Sequence, residues 1–316
     1  MPPSPPARAY AALLAIVVLW GSYPATAKLA LRDVSPTLLT ALRCVLASAF
    51  LAAWLTRREP GALRALTPAA LRDFLILGVL GVVGSMQLSY IAIHYTTAGH
   101  AAVLQAATPV MVALAARLWL GERLTPGQWA GVAVSAAGVL IVVTDGRLAA
   151  LRPEELRPGD FINLLGLTAW SGYTVYGKRV LAAASPALAT TGAYVLGTMV
   201  LLGVAAVTLP ASPPPRLSSP VVWAVIVYHG LLGAVAHVGW YRAVEAVGPS
   251  RSAVFMNVQP VVGVLLAAAM LGEAVGPGVI AGGALVLLGV ALTTRIRASA
   301  APGPSSPRPD GSRSGG

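Results

Sequence analysis

Five stretches of this chain contain no Lys, Arg, Asp or Glu: Phe74 to Gly99, Val180 to Pro215, Leu217 to Tyr241, Ser252 to Gly272 and Ala274 to Thr294. An α-helix crosses the hydrocarbon core of a bilayer with about 20 apolar residues. In lipid every backbone N–H and C=O must be satisfied within the protein, so runs of this length point to helices. Of the 316 residues 56% are hydrophobic and 10% charged, against about 25% charged in soluble domains. The expectation is an all-α integral membrane protein with the lipid bilayer as its constant partner.

Ten spans are expected, at 9–31, 36–55, 73–94, 97–120, 126–144, 160–179, 186–209, 220–241, 251–271 and 275–294. Residues 1–8 and 295–316 are Pro-, Gly- or Ser-rich and read as disordered cytoplasmic tails, and 145–159 as an extracytoplasmic linker. Ser35-Pro36, Thr125-Pro126, Ser185-Pro186 and Ser219-Pro220 mark helix starts, each an N-cap residue with proline at the first helical position.

A net charge of +11 in a soluble chain would point to nucleic acid. Here the basic residues lie between the apolar runs, so they report topology and no nucleic-acid partner is expected. With the N-terminus inside, fifteen Lys and Arg fall in cytoplasmic segments and five outside, Arg32, Arg147, Arg152, Arg157 and Arg216, which places both termini in the cytoplasm. Arg8, the apolar run Ala9 to Trp20 and Ala25-Thr26-Ala27 imitate a cleaved signal peptide. Cleavage is rejected because the same segment recurs inside the chain. The single Cys44 excludes an intramolecular disulfide and a cysteine metal cluster.

The chain is written twice. At a shift of 150, Trp20 meets Trp170, Tyr23 meets Tyr173, Lys28 meets Lys178, Ser35-Pro36 meets Ser185-Pro186 and Thr40 meets Thr190. At a shift of 151, Tyr90 meets Tyr241, Pro109 meets Pro260, Gly121-Glu122 meets Gly272-Glu273, Gly131 meets Gly282 and Gly138 meets Gly289. Five spans per half is an odd number, so the second half enters the membrane upside down. The reading is two inverted five-helix repeats, 9–144 and 160–294, with the solute site at the midplane between them.

The runs Leu19-Trp20-Gly21-Ser22-Tyr23, Lys28-Leu29-Ala30, Ala41-Leu42-Arg43, Thr108-Pro109-Val110 and Trp119-Leu120-Gly121-Glu122-Arg123-Leu124-Thr125 resemble the EamA-type branch of the drug/metabolite transporter superfamily. Asn257-Val258-Gln259-Pro260-Val261 and Leu271-Gly272-Glu273 repeat the signature in the second half. The resemblance covers residues 9 to 294 and implies a ten-helix inner-membrane carrier, usually an exporter of amino acids or other small metabolites. Two departures stand out. Trp170 is followed by Ser171-Gly172 where Trp20 is followed directly by Gly21, and Ala193 stands where Arg43 would recur.

Candidate residues follow from what hydrocarbon penalises. Pro109 and Pro260 remove helical hydrogen bonds and leave the carbonyls of Gln105 and Met256 short of a donor. Gln105, Thr108, Asn257 and Gln259 lie beside these kinks, which fits a hydrated solute cavity or a bend that shapes packing. Trp20 with Tyr23 and Trp170 with Tyr173 are three residues apart and share helix faces, as cavity walls or as packing groups. Tyr90, His94, Tyr176, His237, Trp240 and Tyr241 extend an aromatic lining suited to amphipathic solutes. Arg43, inside the second span, must face protein or water. A structural contact to backbone carbonyls is the preferred role, and a counter-ion for a substrate carboxylate the other. Glu122 and Glu273 each precede a helix and are read as caps of its amide end.

No carboxylate is expected deep in the membrane, because the remaining acids, Asp160 among them, fall in loops, span ends or the tail. That favours uncoupled facilitation or exchange of a small-molecule substrate, with His237 or His229 as the fallback for proton coupling. A membrane-embedded lipid-modifying enzyme would need a nucleophile, acid pair or metal cluster, and none is legible. No cofactor or metal is expected. The glycine faces of helices five and ten serve internal packing or a homodimer, so monomer and dimer stay open.

Overall fold

The computed structural model describes residues 5–121, 125–144, 146, 157–247, 255–256 and 258–299, and among them there is no strand. The helices are α1 (Ala9–Ala30), α2 (Pro36–Arg58), α3 (Pro68–Tyr95), α4 (Ala98–Gln105), α5 (Thr108–Leu120), α6 (Pro126–Val143), α7 (Pro158–Val180), α8 (Pro186–Thr208), α9 (Pro220–Ala243), α10 (Val258–Leu271) and α11 (Pro277–Ser299). Six, namely α1, α2, α3, α6, α9 and the stretch Pro186–Ala211 built on α8, are long and apolar enough to cross a membrane, and α4 with α5 makes a seventh bent span. The expected ten crossings therefore lean on three more helices. Of these α10 has 14 residues and the apolar part of α11 is Pro277–Leu292, while α7 carries Asp160, Lys178 and Arg179 within its 23 residues.

Most of the start signals act as the sequence implies. Ser35 and Ser185 accept the amides of Leu38 and Leu188 at 3.3 and 3.1 Å. Thr125 and Gln128 form a reciprocal capping box. Ser219 precedes its proline without a side-chain cap bond. At the other ends, Gly121 and Gly272, equivalent in the two halves, adopt φ of 67° and 66°, a left-handed conformation that is strained in any residue with a Cβ.

The spans are interrupted where the sequence removes backbone donors. Pro24 lacks an N–H, and α1 has a one-residue break at Ser22. Pro109 does the same at the α4–α5 junction, where the axis turns by 44°. There the amides of Ala106 and Ala107 fall back on Val103 and Leu104, and Thr108 Oγ1 donates to the Gln105 carbonyl at 2.6 Å. The carbonyl expected to lack a donor is satisfied by the neighbouring hydroxyl. In the second half the Gln259 amide donates to the Met256 carbonyl at 3.1 Å, replacing the bond that Pro260 removes. Two further irregularities are π-turns in equivalent helices, Val79–Gln87 within α3 and Tyr228–Leu232 within α9, a feature frequent at functional sites.

The halves pack about a pseudo-two-fold axis. Trp20 meets its counterpart Trp170 edge-on at 5.8 Å, and Ser48 Oγ lies 3.0 Å from Thr198 Oγ1, also 150 residues away. Away from the axis the contacts come in pairs. A Cβ on Gly138 would sit 2.6 Å from the Gly282 carbonyl oxygen, and one on Gly289 would sit 2.5 Å from that of Gly131. The small-residue faces of α6 and α11 thus pack against each other inside the chain. Outside the bundle, Leu118, Val207, Leu265 and Ile280 are well exposed, an apolar surface of the kind lipid covers.

Two acids depart from the sequence reading. Glu273 does not cap the helix that follows it. Its Oε1 and Oε2 accept the amides of Ala98 and Gly99 at 3.0 and 2.9 Å, because α10 packs beside α4 and the turn at Gly272 carries the carboxylate to that helix's first turn. Glu122 lies outside the described residues. Asp160 stands at the start of α7 as expected for a span end, yet it is fully buried. Thr96 Oγ1 donates to its Oδ1, and Oδ2 is 3.1 Å from His100 Nδ1, so neighbouring polar groups compensate the charge.

Candidate functional site

A cavity of about 120 Å³ lies beside the axis, walled by α1, α2, α3, α7 and α9 and by residues at the α4–α5 and α10 breaks. Nine of the residues singled out from sequence line it: Trp20, Tyr23, Arg43, Tyr90, Gln105, Thr108, Trp170, His237 and Gln259. They converge because each broken helix turns its irregular, polar segment inward, while the two axial tryptophans close the middle. Ala27, Ser85, Met86, Ser89, Ile93, Leu167 and Met256 complete the wall. Sequence reasoning named none of these as lining. Ser85 and Met86 lie in the π-turn of α3, whose extra residue shifts the face that helical spacing alone would assign.

The other candidates stand apart from it. Tyr173 is buried behind Trp170, stacked on that ring at 5.2 Å and on Tyr241 at 5.7 Å. Trp240 packs against Trp20 at 5.4 Å. Tyr176 donates to Asp73 Oδ1 at 2.7 Å at the far end of α7. His94 is exposed and borders a separate hollow with Lys28, Arg32 and Glu273. Lys28 is partly buried and donates to the carbonyls of Ile93 and Thr96. Asn257 lies outside the described residues. Pro109 and Pro260 act through the breaks they cause.

Arg43 is 1% exposed. Its Nη1 donates to the His229 carbonyl at 3.2 Å and Nη2 reaches the Met86 sulfur, so one guanidinium ties both π-turns together. The preferred carbonyl contact is present, and the same side chain also lines the cavity. Its ring neighbour is Tyr90, whose centroid is 5.5 Å from Cζ. Among the described residues no carboxylate is paired with it.

His229, named only as a fallback, is the second organising group. It stacks on Tyr23 at 4.0 Å. Its Nε2 is 2.9 Å from Thr26 Oγ1, and that hydroxyl already donates to the Ser22 carbonyl at 2.8 Å. Nε2–H is therefore the donor to Thr26, and Nδ1 accepts from Tyr90 OH. His237 is held by Nδ1–H donation to the Gly233 carbonyl at 2.7 Å, with its ring 5.1 Å from Trp20 and 5.8 Å from Trp170. Among the described residues no group of three His, Cys, Asp or Glu could hold a metal ion.

The arrangement is a mostly apolar chamber with a few fixed polar groups, the form of a small-molecule site. The model of the EamA-like transporter family matches the chain twice, over residues 7–144 and 157–295. An "Uncharacterized transporter" of Archaeoglobus fulgidus is 31% identical over 287 residues, 89% of this chain and 96% of that protein. A "Probable terminal-alkyne amino-acid exporter" of Streptantibioticus cattleyicolor is 30% identical over 294 residues, 91% and 94% of the two chains. A crystal structure 21% identical in sequence shares the fold with a TM-score of 0.65 over 93% of this chain and 98% of that one. With the apolar helices and the duplicated match, the chain belongs to the EamA-like transporter family and is a multi-pass membrane transporter.

Proposed function

We propose that the protein is an inner-membrane exporter of small organic metabolites, amino acids or related amphipathic solutes, working by alternating access between two inverted halves. In this reading α4 and α5 form one crossing, ten crossings place both termini in the cytoplasm, and 9–144 and 160–294 are the repeats. The observation that carries it is the cavity beside Trp20 and Trp170, where equivalent residues of the two halves meet. A chamber at the junction of two related bodies opens to one side when they rock one way and to the other when they rock back. The exporter of Streptantibioticus cattleyicolor supports the solute class and the outward direction.

Transport is uncoupled or by exchange in this reading. A second reading, proton-coupled efflux, has one observation in its favour, the buried Asp160 beside His100, in addition to the membrane histidines His229 and His237. Both readings meet in one measurement. Cells overexpressing the chain or Trp170→Ala are profiled for secreted metabolites, and solutes exported only by the wild type are then tested in proteoliposomes with and without a pH gradient. Equal secretion by both strains at equal protein levels refutes the cavity. Accumulation well above equilibrium under the gradient selects proton coupling.

A further inference from the structure

The buried, unpartnered polar atoms of the central cavity are one-sided. Four of its lining residues have a buried side-chain atom without a hydrogen-bond partner: Trp20 Nε1, Tyr23 OH, Arg43 Nε and Gln259 Nε2. Three of these atoms can only donate, and the tyrosine hydroxyl can donate as well. Arg43 is the only formally charged residue among those lining the cavity. A cation at membrane depth with no anion against it is a costly arrangement, and a buried polar group without a partner calls for an explanation such as an absent ligand.

From this we infer that the cavity selects solutes bearing a carboxylate or a comparable planar oxyanion, with no uncompensated ammonium, and that Arg43 with Tyr23 sets that selectivity. The inference rests on the cavity reading above and narrows its solutes, amino acids and related amphipathic molecules, to those that are net anions. Tyr23 OH and Arg43 share one corner of the site: both lie near Gly233, where a Cβ would be 2.5 Å from Tyr23 OH and 3.6 Å from Arg43 Nη1, so the absence of a side chain there lets the two donors stand side by side. Guanidinium and carboxylate match in shape and pair with charge-assisted bonds.

The opposite wall carries the apolar end of the solute. Across the axis the equivalent of Arg43 is Ala193, and Trp170 and Leu167 supply an apolar face. Gln259 and Trp20 stand between with donors for further acceptor atoms. A cationic solute finds no counter-charge among the lining residues and meets Arg43 instead. His237 turns its Nδ1–H to the Gly233 carbonyl.

The test uses the purified full-length chain and four indole probes in two size-matched pairs, N-acetyltryptophan (anion) with N-acetyltryptophanamide (neutral) and tryptophan (zwitterion) with tryptophanamide (cation), titrated by calorimetry. The expected order has the anion tightest, at least tenfold over the neutral amide, and the cation weakest. In Arg43→Gln the ratio of anion to neutral affinity collapses to within about twofold, Arg43→Lys restores part of it, and Tyr23→Phe reduces it severalfold. Tyr23→Phe keeps the inference testable if Arg43→Gln fails to fold. Equal binding of all four probes, or a ratio unchanged in Arg43→Gln and Tyr23→Phe, overturns this inference and leaves the cavity reading standing. Absence of binding by every probe, with the chain folded, overturns both.

Discussion

Glu273 offers the sharpest separation between a local and a tertiary account of the same residue. Its two oxygens accept the first amides of α4, Ala98 at 3.0 Å and Gly99 at 2.9 Å. Hydrogen bonds to a charged group contribute about 1.5–3 kcal/mol each, and a carboxylate at a helix N-terminus gains roughly 0.3–1 kcal/mol from the dipole. Glu273 is partly exposed, so the low end applies and its loss costs the first turn of α4 about 3 kcal/mol. Every 1.4 kcal/mol is a factor of about ten. Amide exchange in Glu273→Ala, followed by mass spectrometry on peptides covering 97–105, is then expected to speed up on the order of a hundredfold. Glu273→Gln keeps one neutral acceptor and falls between. Acceleration confined to the start of α11 at residues 277–280, with 97–105 unchanged, refutes the geometry and restores the local-cap reading.

Other perturbations test the remaining contacts. Gly138→Leu places a branched side chain where even a Cβ would be 2.6 Å from a carbonyl oxygen. It is expected to abolish a monodisperse peak in size-exclusion chromatography, whereas Gly203→Leu, with nothing within 4 Å, leaves the peak intact. Asp160→Asn keeps the shape but removes the charge that Thr96 and His100 address, with an expected loss of roughly 2 kcal/mol read as a lower midpoint of thermal unfolding in detergent. A Ser48→Cys, Thr198→Cys pair in a Cys44→Ser background is expected to crosslink within one chain on oxidation, since the native oxygens are 3.0 Å apart. No crosslink in folded protein would remove the axis. Thr108→Val strips the donor from the Gln105 carbonyl and is expected to cost about 1–2 kcal/mol in the same thermal assay.

Much of the architecture was legible because duplication makes weak signals additive. One Trp-x-x-Tyr pair in a helix says little, but Trp20-Tyr23 and Trp170-Tyr173 at a fixed shift mark equivalent positions, and the tryptophans prove to be the axial contact. Pro109 and Pro260 were legible because proline's chemistry is local. The symmetry also misled. Tyr173 and Tyr241 repeat Tyr23 and Tyr90, yet they stack on each other away from the cavity wall. What stayed hidden depended on the third dimension. The target of Glu273 is a helix 174 residues away, the burial of Asp160 depends on what packs over a span end, and a π-turn leaves no mark in hydrophobic spacing. Thus Ser85, Met86 and Ser89 went unnoticed while nine other lining residues were named.

A molecule assembled from two identical chains about a two-fold axis can carry only an even number of any side chain. An arginine near its axis would arrive together with its own mirror, two like charges in one pocket of hydrocarbon, each making the other harder to keep. Joining the copies in one polypeptide lifts that parity. Here Trp20 and Trp170 still match, Ser48 faces a threonine, and the partner position of Arg43 has become alanine. The result is a chamber with one unmatched positive charge and a fixed head and tail.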